Sequence, residues 1–345
     1  MHAYTTTRVL TLNILSASQQ HRTSQPPTMS GRIAPAAEDE GSKLPKLTKL
    51  RVKDFPIPIH SHGKAKVRVM KVVRTESTHF CYEYRVDTTL FSPTYERVFT
   101  KDDNSELVAT DTQKNTVYVV AKKTKADSPE QFAIDLVKHF LSEYEILTGA
   151  QAVVRQVIWE RVMVDGQEHD HGWIKKGPET NVAIAKLGRE GGLSVTSKLS
   201  TLTIFKSTQS GFADYLQDKY TLLPPCDERC LSTEMDATWT YACDVGGGEY
   251  DFVGLRKTVV ANLVKGIFGP SKGGVFSVSL QATIYDAGCM VLTESEDVKD
   301  IKIETPNKHY IPYRQLAHLG EIFDDDIFVP TDDPSGTIQC VLTRE

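Results

Sequence analysis

Thr110 and Asp111 stand where an apolar run, Leu107-Val108-Ala109, gives way to a segment of mixed polarity that ends at Val117-Tyr118. Such a junction gathers a hydroxyl, a carboxylate and backbone N–H groups without partners, a combination suited to gripping a small polar molecule. The plain alternative is that both residues are caps of a regular element. Far downstream, Pro306-Asn307-Lys308-His309-Tyr310 supplies an amide and an imidazole. Imidazole titrates nearest neutrality, which makes His309 a candidate proton carrier.

Two histidine pairs, His60-Ser61-His62 and His169-Asp170-His171, raise the question of metal. Residues two apart on a strand share a face and can offer two nitrogen ligands. Neither pair has a nearby carboxylate-histidine framework to complete a site, so no metal is expected. Among six cysteines only Cys226 and Cys230 are close, at a spacing that is not CxxC. With no second Cys/His pair at metal-finger distance, reduced structural thiols in an intracellular compartment are expected.

The elements that must hold these groups belong to a chain of 345 residues, 40% hydrophobic and 25% charged, the composition of a soluble globular protein with room for about two domains. Lys+Arg number 40 against 45 Asp+Glu, with no basic run or basic-aromatic stripe, which argues against nucleic acid as a partner. No apolar stretch approaches the roughly 20 residues of a membrane span. Residues 1–37 contain no Asp or Glu, are rich in Ser, Thr, Gln and Pro, and carry Arg8, Arg22 and Arg32. That is the composition of an organellar transit segment, or of a gene start set upstream of Met29. A disordered extension over 1–60 is expected.

Alternation predicts a strand hairpin from Val67, Val69 and Val72 and then Phe80, Tyr82, Tyr84 and Val86. Ser128-Pro129-Glu130-Gln131 reads as an N-cap, a first-turn proline and a capping-box glutamine. The helix it opens presents Phe132, Leu136, Phe140, Tyr144 and Leu147, with Gly149 as the stop. Strands are expected at 153–162, 181–185, 193–199, 202–206 and 235–241. A helix with Phe252, Leu255, Val259, Leu263 and Ile267 inward closes at Gly269-Pro270. A strand at 275–281, a short helix over 284–293 and a strand at 298–303 follow. The order suggests two tandem α+β units, 61–200 and 201–345.

Read together, dispersed segments resemble the urate oxidase (uricase) family over roughly Lys64 to Cys340. They are Gly63-Lys64 before Val67-Arg68-Val69; Asp103-Asn104-Ser105 with Val108 to Asp111 and Lys114-Asn115-Thr116; Lys206 to Phe212; Asp227 to Thr233 around Arg229; Gln281-Ala282-Thr283 with Tyr285; and Pro306 to Tyr310. The resemblance implies a tunnelling fold (T-fold) of two antiparallel four-stranded units backed by helices. It implies a homotetramer with active sites between subunits, and oxidation of urate by O₂ and water to 5-hydroxyisourate and hydrogen peroxide in purine degradation, a factor-independent urate hydroxylase with no cofactor. By position, Lys64, Thr110 and His309 match a proton relay. Phe212, Arg229, Gln281 and Asn307 match the stacking, clamping and oxygen-side positions, and the backbones of Asp111 and Leu280 match substrate contacts.

The chemistry is coherent with those residue types. Urate is a flat polar anion, which suits a planar bidentate donor such as Arg229 and an amide such as Gln281. Phe212 can stack on the purine. A lysine removed from water is a competent base, so Lys64 beside the Thr110 hydroxyl can take a proton from the bound anion, and His309 can carry protons to reduced oxygen. Asn307 can hold the oxygen species over the ring. Each residue alone has a plainer reading: Arg229 as a loop partner of Asp227 or Glu228, Phe212 as core, Lys64 as surface. A purine- or pterin-binding oligomer without turnover, and a metal-dependent oxidase using the histidine pairs, are the competing function classes. Peroxisomal residence is implied by family resemblance, yet the chain ends Leu342-Thr343-Arg344-Glu345 rather than in a Ser-Lys-Leu-like signal, with cytoplasm or mitochondrion as alternatives.

Overall fold

Alternating burial builds the first strands. In β1 (His62–Arg74) and β2 (His79–Phe91), Val67, Val69, Tyr84, Val86 and Leu90 are buried while Arg68 and Arg85 face water. The computed structural model describes Lys53 and residues 55–345; apart from Lys53 and the last six positions, the expected 1–60 extension lies outside the described residues. Helices α1 (Glu96–Lys101), α2 (Thr110–Lys123) and α3 (Pro129–Glu143) follow. Ser128 caps α3 by accepting from the Gln131 N–H, as expected, but the Gln131 side chain donates to Asp135 instead of closing a capping box. The helix also stops at Glu143, short of the expected Leu147. Arg189 satisfies the chain past that end: its guanidinium donates to the carbonyls of Leu141, Tyr144 and Leu147, groups that a helix end leaves without intrahelical donors.

Next come β3 (Gly149–Val164), β4 (Gln167–Gly188), β5 (Gly192–Lys206) and β6 (Leu231–Tyr241). The strands expected at 193–199 and 202–206 are one element, interrupted by an irregularity where Thr201 takes φ 66. Asp236 holds that kink by accepting from the Thr201 N–H and the Ser200 hydroxyl. The remaining elements are α4 (Phe252–Phe268), α5 (Leu280–Glu294), β7 (Val298–Pro312), β8 (Phe328–Thr331) and β9 (Thr337–Thr343). The strand expected at 275–281 is absent apart from an isolated bridge from Ser277 to Ser210, and the helix expected from 284 starts at Leu280.

Among the described residues nine strands form one antiparallel sheet in the order β1 to β8, with β9 also on β7. Two cores lie along it. Val117, Phe132, Leu136 and Phe140 pack on the first strands; Val259, Leu263, Ile284 and Val291 pack with Trp239, Ile301 and Ile303 on the later ones. This is an α+β tunnelling fold, as expected.

A buried polar cluster pins the cores together. Glu130 of α3 pairs with Arg256 of α4 and accepts from the Ser197 hydroxyl at 2.6 Å, while Arg256 donates to the Lys198 carbonyl at 2.9 Å and lies 4.8 Å from the centre of the Trp239 ring. Glu130 is 1% exposed, so removing it strands a guanidinium in the interior. Glu130→Ala is expected to cost about 3–5 kcal/mol in denaturant unfolding, and Glu130→Leu combined with Arg256→Met less than that. A single substitution costing under about 1 kcal/mol would show that the pair is not the pin.

Candidate active site

Lys206 ends β5 pointing inward, two residues after buried Ile204. Its ammonium donates to the carbonyl of Val275 at 2.7 Å and the hydroxyl of Ser277 at 2.9 Å, anchoring the segment before α5. Burial lowers the Lys206 pKa, with Glu228 opposing. The anchored segment grips 209–212: the Gly211 N–H donates to Ser277 O and the Ser277 N–H to Gln209 O. On the other side Phe212 and Cys226 exchange two backbone hydrogen bonds, and the Arg229 N–H donates to Ser210 O at 2.8 Å. A Cβ on Gly211 would sit 3.0 Å from Cys226 O and 3.1 Å from the Phe276 ring, so glycine lets the segments close.

This clamp sets the Arg229 guanidinium 5.4 Å from the centre of the Phe212 ring. Burial pulls the Arg229 pKa down, and Cys226 partly offsets it. The group still stays charged, because guanidinium starts so far above neutrality. Its Nε is buried without a partner, and among the described residues no carboxylate pairs with it. Among the described residues neither Asp227 nor Glu228 forms an ion pair with Arg229, so the plain reading of Arg229 as a loop salt bridge does not hold; Glu228 instead accepts from the Gln209 N–H.

Arg229 and Phe212 open onto a cavity of about 150 Å³ that Leu280, Gln281, Asn307 and His309 also line. Leu280 and Gln281 arrive on the first turn of α5, which Ser279 caps by accepting from the Ala282 N–H. The N–H groups of Leu280 and Gln281 belong to the four that a helix start leaves without intrahelical partners. Asn307 and His309, two apart on β7, share a face of the strand. Asn307 is fixed through its N–H to Gly336 O at 2.8 Å and its pairing with Thr233. Leu223 and Ile338 complete the lining; neither was expected, and nothing in their local sequence sets them apart from other apolar residues. A larger depression of about 590 Å³ beside α3 gathers Asp127, Asp135, Glu249 and Asp251, a lining that repels anions.

Lys64, Thr110 and Asp111 do not line the cavity; they lie together on the first half of the sheet. Lys64 faces Thr88 across β1 and β2, where the backbones approach so closely that a Cβ on Gly63 would stand 2.2 Å from Thr88 O. Thr110 is the first residue of α2, after Ala109, and neither it nor Asp111 is a side-chain cap. The Asp111 carboxylate accepts from Lys114 and Asn115; these bonds and the ammonium of Lys114 lower its pKa, and Lys64 adds to the effect. The histidine pairs are engaged locally. His62 Nε2 lies 3.1 Å from Val108 O, an atom that only accepts, so Nε2 carries the proton. His169 accepts the His171 N–H on Nδ1, with the two rings edge to face at 4.6 Å. Among the described residues no three His, Cys, Asp or Glu side chains form a metal-holding group.

The sequence profile of the family described as Uricase matches residues 60–186 and 195–339. The chain belongs to the uricase family. Uricase-2 isozyme 1 of Glycine max is 42% identical over 82% of this chain and 94% of its own length, and Uricase of Arabidopsis thaliana is 39% identical over the same shares. Among solved structures, uricase from Arthrobacter globiformis superposes with TM-score 0.76 at 30% identity, covering 85% of this chain and 96% of its own. Membership of the uricase family makes the protein an oxidoreductase, as expected. Among the described residues no helix is long and apolar enough to cross a membrane.

The Lys206 anchor gives a direct check on this architecture. Lys206→Met leaves a carbonyl and a hydroxyl without their donor. It is expected to cost about 1–3 kcal/mol in unfolding and to speed proteolysis within 207–212. Unchanged protection of that segment would contradict the anchoring role.

Proposed function

We propose that this protein oxidises urate with O₂ and water to 5-hydroxyisourate and hydrogen peroxide, without metal or organic cofactor, and that its active sites form between subunits of a homotetramer. The observation that carries the reading is Arg229: a half-buried guanidinium, its Nε shielded and unpartnered and no carboxylate paired with it among the described residues, above an aromatic ring and beside a helix N-terminus. The guanidinium and the helix N-terminus favour an anion, and the ring favours a flat one. Urate supplies the missing charge, Gln281 offers both a donor and an acceptor to its polar edge, and Phe212 stacks beneath it.

Two observations support a shared site. At about 150 Å³ the cavity is smaller than the roughly 300–1,000 Å³ of complete ligand pockets. Beside it Val275, Phe276 and Val278 are 40%, 49% and 60% exposed, an apolar strip that a neighbouring subunit would cover. The neighbour would bring Lys64, Thr110 and Asp111 to the open side. In this reading the Asp111 backbone contacts urate, and the Thr110 hydroxyl passes a urate proton to Lys64. Two electrons and two protons then reach O₂ as peroxide while water adds to the ring, so the atoms balance. Asn307 and His309, on one strand face, hold the oxygen species and carry its protons. The compartment proposed with this activity is the peroxisome, on family resemblance.

Purified, chelator-dialysed protein mixed with urate in air is expected to consume urate and release equimolar peroxide. A correctly assembled tetramer that does neither refutes the reading. Lys64→Met is expected to lower kcat about 100-fold or more with little change in urate binding, as loss of a general base does. Arg229→Ala is expected to weaken urate binding by about 1.5–3 kcal/mol, the worth of charge-assisted hydrogen bonds. Retention of full turnover by Lys64→Met would remove the lysine from the relay.

A further inference from the structure

Helix α2 begins at Thr110 behind Ala109, an N-cap residue with no side chain able to cap it, although the proposed relay needs the Thr110 hydroxyl held beside Lys64. The hold comes from Gln113, fully buried and three residues on. Its backbone N–H closes the first turn on Ala109 O at 3.1 Å. Its side-chain nitrogen donates to Val108 O at 3.3 Å, and its oxygen accepts from the Thr88 hydroxyl at 2.8 Å. Thr88 interrupts the buried row Tyr84, Val86 and Leu90 of β2, a position where an apolar residue would pack without desolvating a hydroxyl. It is also the cross-strand partner of Lys64, and directly opposed side chains leave an antiparallel pair on the same face. His62 adds a second donor to Val108 O. One buried hydroxyl and one buried amide thus connect the strand pair that carries Lys64 to the turn that carries Thr110 and Asp111.

We propose that Thr88 and Gln113 are positioning residues for urate oxidation. The chain Thr88 to Gln113 to Val108 fixes the start of α2 against β1, and with it the separation of the Lys64 amine and the Thr110 hydroxyl. This inference rests on the relay proposed above. Neither residue touches substrate; each acts through Thr110.

The test compares the wild type, Thr88→Val, Thr88→Ser and Gln113→Leu as assembled proteins, with urate binding measured without oxygen and turnover measured in air. Thr88→Val keeps the shape and loses the hydroxyl. It is expected to lower kcat per urate-binding site about tenfold or more, since small misplacements of reacting groups carry costs of that order. Its anaerobic urate Kd is expected to stay within about threefold, because Arg229 dominates binding. The low-pH limb of its kcat profile is expected to move, because the surroundings of the proton acceptor change. Thr88→Ser is expected to restore both kcat and the pH profile, and Gln113→Leu to resemble Thr88→Val. A Thr88→Val protein with wild-type kcat per binding site, or a kcat loss that Thr88→Ser does not rescue, overturns the positioning role while leaving urate oxidation intact. A wild type that does not oxidise urate overturns the relay and this inference together.

Discussion

A half-buried guanidinium with a shielded, unpartnered Nε and, among the described residues, no paired carboxylate is the constraint around which the second half of this chain is arranged. Arg229 can stay there only because backbone on three sides fixes it, through Ser210, the Phe212–Cys226 pair and the segment that Lys206 anchors. The cost of leaving its Nε without a partner is a standing preference for an anion. In the proposed site Phe212, α5 and β7 select the anion by presenting a flat face, N–H groups and a strand face with an amide and an imidazole.

In the proposed relay the first half of the chain meets a different problem, the approach of a lysine to a hydroxyl. Gly63 lets β1 close on Thr88, and α2 starts over the same strand pair. The Glu130–Arg256 cluster ties the two halves together. In the proposed site Lys64 and Arg229 serve one substrate molecule across two copies of the chain. The exposed Val275, Phe276 and Val278 beside Arg229 are consistent with that demand.

Much of the fold is legible from periodicity where one face is buried. The β1–β2 hairpin and the cap of α3 follow from alternation and Ser128. Periodicity fails where no face is buried. The outer part of β4 is largely exposed, so only the piece at 181–185 of its 22 residues is evident. Between Val275 and Leu280 the alternation is real but inverted, with Ser277 buried and Phe276 and Val278 exposed, and it mimics a strand. The capping bond from Ser279, which shows that α5 starts there, depends on tertiary placement. Individually ambiguous residues such as Phe212, Asn307 and His309 became candidates through the family resemblance. Gln113 and Thr88 carry no local mark beyond a polar side chain at a position facing the core.

Mixing two inactive variants tests most directly whether one site draws on two chains. Lys64→Met and Arg229→Ala each damage a different contribution to every site, and neither alone should turn over urate efficiently. Co-assembled in equal amounts, they are expected to recover about a quarter of wild-type activity, because random pairing of symmetry-related subunits rebuilds one intact site in four. Activity no higher than the mean of the two variants assembled separately would contradict the shared site and place Lys64, Thr110 and Arg229 in service of the same chain or of different functions.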